Sequence, residues 1–457
     1  MSLLIIADDL SGAADCAIGF ASAGHRTVVT LDSTRALDVK AGGDVIDVIA
    51  TDTDTRRASP EDAARRTVEA WRTLHTPGRR LYKKIDSTLR GNWAAEVAAL
   101  QPLAGLAIVA PAFPATGRTT RGARVFVNGS PLETTDTWQL ENAGQRADIA
   151  ERLRAAGLST AMLGFDVGRD THESLVRAVR MHAMHGVQAL VVDAQTSEDL
   201  AVIAQATASM DEALFWVGSG GLAREMASLR GFFDASANRH AASRAWYAPR
   251  ESALSQTSHS SCSLDASSAS RLSQASCAAH QGGPILVLVG TLSAVSEAQC
   301  AMLRDDAGID ELVVAPAILR AGPDHLQWSA LQARIGAHLA SRADLLLRIG
   351  RDDCFDPTQG ATLSAALGHL IAPHFGKIGS LIATGGETAR AALHATGIDS
   401  LELVAEVEPG VAIGRPLDAR TREGRLHQPR IVTKAGAFGT GQSLHAAWRH
   451  LRDTTYV

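Results

Sequence analysis

Short apolar runs recur along the chain, each ending in a polar or glycine-bearing loop and followed by an amphipathic stretch. LLIIA leads to DDLSGA and DCAIGFASAG, and VIDVIA leads to TDTDTR and a helix opened by Ser59-Pro60-Glu61. RLYKKI leads to DSTLRGN and WAAEVAAL, and LAIVA leads to PAFPATGRTTRG. A serine before a proline at the first helical position is a start signal: the hydroxyl caps free N–H groups, and proline has none to leave bare. STAMLGF, VQALVVD and ALFWVGSGG continue the series. Near Asp234 the pattern stops. From there to Gly283 the chain is rich in Ser, Ala and His without strand patterning, so 234–283 reads as a linker. The pattern then restarts: PILVLV runs into GTLSAVSEAQ, ADLLLRIG is a strand, GSLIA runs into TGGETARAAL, and PRIVT runs into KAGAFGTGQSLHAAW. Strands alternating with helices predict parallel sheets. The expectation is an α/β protein with two α/β domains of mostly parallel sheets, 1–233 and 284–457, joined by the linker.

Composition narrows the classes. The 457 residues exceed what one core accommodates, ~250–300 residues. A net charge of -5 argues against a general nucleic-acid binder, which needs a basic face. No apolar run reaches the ~20 residues of a membrane span. The opening MSLLIIADD lacks the basic start and long apolar stretch of a signal peptide, so export is not expected. Cys16, Cys262, Cys277, Cys300 and Cys354 are scattered without a CxxC pair, which fits a reducing cytoplasm rather than a disulfide framework or a zinc site. Only five residues are lysine, and Lys83, Lys84 and Lys434 fall in candidate functional loops.

In open parallel sheets, ligands bind beyond the carboxyl ends of the strands. ADDLSG, TDTDTR, DSTLRG and PAFPATGRT would share that edge. Together they bring Asp8, Asp9, Asp52, Asp54, Arg56, Lys83, Lys84, Asp86, Ser87, Arg90, Asn92 and Arg118. Carboxylates accept hydrogen bonds from hydroxyls, and arginine grips a carboxylate or phosphate through two parallel bonds. The mixture suits a small polyhydroxylated anion. Such residues also cap helices and build turns, so it is the four loops together that argue for a site. Adjacent strand residues point to opposite faces, so one of Lys83 and Lys84 is expected to reach it. Gly91 would allow close approach. In the second half, GTLS (290–293), TGGETA (384–389) and KAGAFGTG (434–441) are glycine loops between strand and helix, able to cradle phosphates on backbone N–H groups. GSGG (218–221) could serve either side of a cleft. There is no GxxxxGK[ST] loop, and no GxGxxG follows the first strand, which disfavours a dinucleotide-dependent dehydrogenase. A non-catalytic sugar-acid-binding protein would need no second set of glycine loops.

IADDLSGAAD, TDTDTR, YKKIDSTLRGN, PAFPATGRTTRGARVFVNGSPL, VGSGGLA, LVGTLS, ATGGETA, EVEPGV and VTKAGAFG, in this order from Ile6 to Gly439, resemble the four-carbon acid sugar kinase family. The resemblance implies an N-terminal domain for a tetronate, a C-terminal domain for ATP with Mg²⁺, and both ligands in the interdomain cleft. It implies phosphorylation of the terminal, C4 hydroxyl. The DSTLRG form resembles threonate and erythronate kinases, with a 3-oxo-tetronate kinase as the alternative. By resemblance, Asp8, Asp9, Arg56, Lys84, Asp86, Ser87 and Arg90 would contact the sugar acid. Ser293, Gly385, Gly386, Glu387, Thr388 and Gly436 would contact ATP. Asp86, or next Asp9, would accept the hydroxyl proton. No metal ligand is assigned, and a homodimer is left open. Ser11 stands where the family usually has threonine, which keeps the hydroxyl.

Overall fold

The strands of the first half are β1 (Ser2–Ala7), β2 (Thr27–Thr30), β3 (Val48–Asp52), β4 (Arg79–Lys84), β5 (Leu106–Ala110), β6 (Arg118–Arg121), β7 (Arg124–Val127), β8 (Ser130–Pro131), β9 (Thr160–Leu163), β10 (Ala189–Val192) and β11 (Leu214–Gly218). Those of the second half are β12 (Ile285–Val289), β13 (Asp310–Val314), β14 (Leu345–Ile349), β15 (Ser380–Thr384), β16 (Ser400–Glu408), β17 (Val411–Pro416) and β18 (Arg430–Lys434). The computed structural model describes residues 2–37, 45–135, 138–139, 142, 144–233, 283–291, 293–352, 359–417, 427–436 and 439–453. Apart from Gly283, the stretch 234–283 expected as a linker lies outside them.

The apolar runs became strands because both faces are covered. In β1, Leu3, Ile5 and Ala7 enter one core while Leu4 and Ile6 enter the other. Strands buried on both faces read as continuous apolar runs. In the first half, β2-β3-β1-β4-β11-β5-β10-β9 pair in that order, every pairing parallel. In the second half, β13-β14-β12-β15-β18 do the same. Two α/β halves with mostly parallel strands are as expected. Helix starts also follow the sequence: Ser59 accepts from the Asp62 N–H ahead of Pro60–Leu74, and Asp9 accepts from the Gly12 N–H ahead of Leu10–Ser22.

The joint between the halves was not anticipated. The antiparallel pair β16–β17 bridges β2 and β18, so both halves share one fifteen-stranded sheet. Three successive antiparallel pairings make the second parallel set run opposite to the first. Strand β16 shifts register between Leu403 and Ala405 and again between Glu406 and Glu408, and it packs on the helix Leu10–Ser22. That helix sits in a core continuous between the halves: Leu10 and Ala13 belong with Leu286, Leu288 and Leu381. Ion pairs fasten the joint, with Arg26 to Glu402 at 3.2 Å, Arg390 to Asp52 at 2.6 Å, and Arg224 to Glu406. Among the described residues, no helix is long and apolar enough to cross a membrane.

Candidate active site

The cavity between the halves is floored by the loops after β1, β4 and β11. Asp9, Arg56, Lys84, Asp86, Ser87 and Arg90 all line it. Asp8 stands behind them, 3% exposed, and accepts the Arg56 fork: Nε to Oδ2 at 2.8 Å and Nη2 to Oδ1 at 3.0 Å. Burial raises the Asp8 carboxyl, but Arg56 and then Lys83 and Lys84 outweigh it and leave it below its ordinary value. The same Arg56 Nη2 reaches Asp9 Oδ1 at 2.9 Å. Asp8 thus orients Arg56, and Arg56 orients Asp9. Gly91 makes this possible. Its φ is +80°, and a Cβ there would stand 3.0 Å from Asp8 Oδ2.

The two neighbouring lysines part company. Lys84 points into the cavity beside Gly12. Lys83 points the other way, wholly buried, and pairs with the equally buried Glu96 at 2.9 Å. Glu96 also accepts from Thr55 at 2.5 Å and Thr67 at 3.3 Å, tying the helix Trp93–Ala104 to the loop that carries Arg56.

The DSTLRG segment folds on itself. Asp86 does not cap the following helix. Its Oδ2 accepts from the Thr88 and Arg90 N–H groups and from Arg90 Nε at 2.9 Å, and its Oδ1 accepts from Arg90 Nη2 at 3.0 Å. Burial raises the Asp86 carboxyl, but Arg90, Arg56 and Lys84 overcome this and hold it well below the carboxylate range. Asn92, at the helix start, donates to the Thr55 and Ala58 carbonyls instead of capping.

Second-half loops complete the cavity, and of its remaining lining the sequence pointed to the loops that carry Ala435, Ser219 and Gly220 but not to Asp15, Phe113 or Gly410 as site residues. Gly410 and Ala435 line it, as do Asp15, Phe113, Ser219 and Gly220 from the first half. Arg224 ties the two sides: it reaches Asp15 at 3.4 Å and both Glu406 oxygens, and Glu406 accepts the Gly410 N–H at 3.2 Å. Burial raises the Asp15 carboxyl against the lowering pull of Lys84 and Arg224. The available signal was Asp15 lying four residues after Ser11, on the same face of one helix.

The glycine loops after β12, β15 and β18 meet around Thr291. A Cβ at Gly385 would stand 2.9 Å from Thr291 Oγ1, and one at Gly436 would overlap it. A Cβ at Gly290 would overlap Thr388. Ser293 caps the helix Ala294–Asp305, and Ser296 of that helix donates to the Gly436 carbonyl at 3.0 Å. Gly385, at φ +96°, opens the helix Gly386–Ala395. Glu387 turns to Arg57 across the cleft, 2.9 Å away. The two loop sets touch where a Cβ at Gly386 would stand 2.9 Å from Asp9 Oδ2 and 3.3 Å from Ser11 Oγ. Ser11 Oγ is buried and has no hydrogen-bond partner among the described residues. A helix N-terminus with glycine loops suits phosphates, and the cations and carboxylates opposite suit an acid bearing hydroxyls.

Comparison with known proteins agrees with this division. A family model for a sugar-binding N-terminal domain matches residues 3–226, and one for a nucleotide-binding C-terminal domain matches residues 286–444. A D-threonate kinase of Cupriavidus necator is 49% identical over 99% of both chains. A D-erythronate kinase of Heliobacterium modesticaldum is 25% identical over 97% of this chain and 95% of its own. The crystal structure of a Haemophilus influenzae protein shares the fold, with a TM-score of 0.66 at 19% identity over 98% of this chain and 100% of that one. The chain therefore belongs to the four-carbon acid sugar kinase family, whose members use ATP.

Proposed function

We propose that the enzyme transfers the γ-phosphoryl group of ATP to the C4 hydroxyl of D-threonate, in the cytoplasm, where ATP is held. The observation that carries the reading is the meeting of Asp9 and Ser11 with Gly386, one loop from each half. On this reading residues 1–233 take the acid and 284–457 take the nucleotide. The strong likeness to a named D-threonate kinase favours that acid over other tetronates.

Lys84 and Arg56 supply positive charge for the acid's carboxylate, and Asp86 and Ser87 present oxygens to its hydroxyls. Asp86 was the first expectation for the proton acceptor. Its Oδ2 is taken by Arg90, by Thr88 and by backbone N–H groups, while Oδ1 accepts from Arg90 Nη2 and keeps a lone pair for a hydroxyl, which suits binding and orientation. Asp9 is the better acceptor: Oδ1 is fixed by Arg56 and Gly12, while Oδ2 faces Gly386. As the hydroxyl oxygen bonds to phosphorus and the bond to the β-phosphate oxygen breaks, the hydroxyl proton passes to Asp9 Oδ2. Positioning and charge neutralisation dominate such transfers. Among the described residues no group of three metal-binding side chains occurs. Magnesium carried on nucleotide phosphates needs few protein oxygens. Ser11 Oγ, buried and unpartnered, fits one such contact. When bound, Mg²⁺ would neutralise phosphate charge. The test of the roles is the Asp9 variant argued in the Discussion.

Arg224→Gln should free Glu406 and the Gly410 turn, so that the acid pocket loses the tie to its second-half wall. The expected result is a KM for the acid raised roughly tenfold, about 1.4 kcal/mol, with KM for ATP little changed. Steady-state kinetics with each substrate varied checks it.

Acid pH should remove one ion pair from the joint without weakening the fold through that group. Burial pushes the Asp52 carboxyl up to about 6, against the pull of Arg390. Asp52 is therefore charged above pH 6 and pairs fully with Arg390. Between its unfolded value near 4 and 6, the native state holds the extra proton, so ionisation there costs stability while creating the interdomain pair. The expected profile of kcat/KM has an acid limb near pH 6. Arg390→Gln should have lower kcat/KM above pH 6 and should lack that limb.

A further inference from the structure

We propose that Lys434 is a positioning residue for the nucleotide: its ammonium holds Ala435 and Gly436, directly after β18, in the form that turns the Gly436 N–H toward phosphate. The inference rests on reading the Gly436 loop as part of the ATP site.

Lys434 ends β18 and is 1% exposed. Its Nζ donates to the Ala435 carbonyl at 2.8 Å and to the Gly436 carbonyl at 3.1 Å, with Thr384 Oγ1 at 3.4 Å. Ser296 pulls on the same Gly436 carbonyl from the neighbouring helix. A trans peptide directs its C=O and N–H to opposite sides. With the Ala435 carbonyl turned toward Lys434, the Gly436 N–H is directed away from it. One side chain thus braces the β15 and β18 loops, which meet at Thr291. Arginine could not substitute, because a planar fork is larger than the compact ammonium that two adjacent carbonyls converge on.

Among the described residues, the hydrogen bonds of this ammonium go to neutral oxygens. The charged or titratable groups that face it are Glu408 at the end of β16 and the Cys300 thiol on the helix Ala294–Asp305. Glu408 is itself engaged by Ser443 of the helix Ser443–Asp453. A cation buried among neutral oxygens is costly, and an anionic phosphate in the adjacent loop would offset that cost. Burial accordingly brings Lys434 down to about 8, against the raising influence of Glu408 and Cys300. Losing this proton does not weaken the fold. The native value lies below the unfolded one, so stability rises with pH between about 8 and ~10.4.

The test uses the native enzyme first. ATP affinity is measured by calorimetry from pH 7 to 9.5, in buffers of different ionisation enthalpy. The inference expects Kd for ATP to be level up to about pH 8 and then to rise by up to ~10-fold per unit, with proton uptake on binding and no fall in melting temperature. Lys434→Met should raise Kd for ATP at pH 7 at least tenfold, flatten the pH profile and leave KM for the acid unmoved. An affinity independent of pH in the native enzyme, or native affinity in the variant, overturns the proposal. If the variant does not fold, the native profile and proton uptake decide. Gly436→Val separates the two readings. Loss of ATP binding there with a negative result for Lys434 overturns this inference alone, whereas intact ATP binding overturns the reading of the loop as well.

Discussion

Asp9→Asn is expected to lower kcat by ~10²–10⁴-fold, the usual worth of general-base help, while ATP still binds and the protein still folds. The amide keeps the structural half of the residue. Oδ1 can still accept from the Gly12 N–H and from Arg56. What is lost is the basic oxygen that faces Gly386. Asp86→Asn should behave differently. It breaks the Arg90 fork and leaves the turn Asp86–Arg90 short of a charged acceptor. Its main effect should be a raised KM for the acid. Single-turnover and steady-state kinetics of the two variants, with nucleotide binding measured alongside, tell them apart. If Asp86→Asn lost kcat alone while Asp9→Asn kept it, the roles would be exchanged.

Lys83→Met is expected to lose ~3–5 kcal/mol of stability, because it strands a fully buried Glu96 carboxylate. Both partners are wholly out of water, so solvent screening does not soften the loss. Lys84→Met, one residue away, should do the reverse: it removes a cation from the acid pocket and should abolish most turnover at little cost in stability. Urea denaturation of the two proteins measures the first effect, and kcat/KM for the acid measures the second. Adding Glu96→Gln to Lys83→Met should recover part of the lost stability, since the stranded charge is then removed. Equal stability losses in the two single variants would mean that the division of the lysines is wrong.

That division shows how far the sequence could be read. Strand alternation says that Lys83 and Lys84 diverge, but only the position of Glu96, thirteen residues beyond Lys83, says which one turns inward. The parallel strands were legible because burial on both faces leaves uninterrupted apolar runs such as LLIIA and PILVLV. The joint was not. Strand β16 carries Glu402, Glu406 and Glu408, which reads as a solvated stretch until Arg26, Arg224 and Ser443 are brought to those carboxylates from distant parts of the chain. The β6–β7 hairpin was likewise hidden, since PATGRTTRG reads as loop until Thr119 and Phe126 pair across it. The loop residues of the candidate site were legible as types in a sensible order. Their pairings were not, because an Asp–Arg fork four residues apart and a free Asp look alike in sequence. Asp15 and Arg224 needed the folded chain to meet.

The most direct measurement is ADP release from MgATP with D-threonate, L-threonate, D-erythronate, L-erythronate and a 3-oxo-tetronate offered in parallel. The account predicts turnover with D-threonate well above the rest, and a product phosphorylated at C4. A preparation that binds ATP yet turns over none of the tetronates, or one that phosphorylates only the 3-oxo acid, would contradict it.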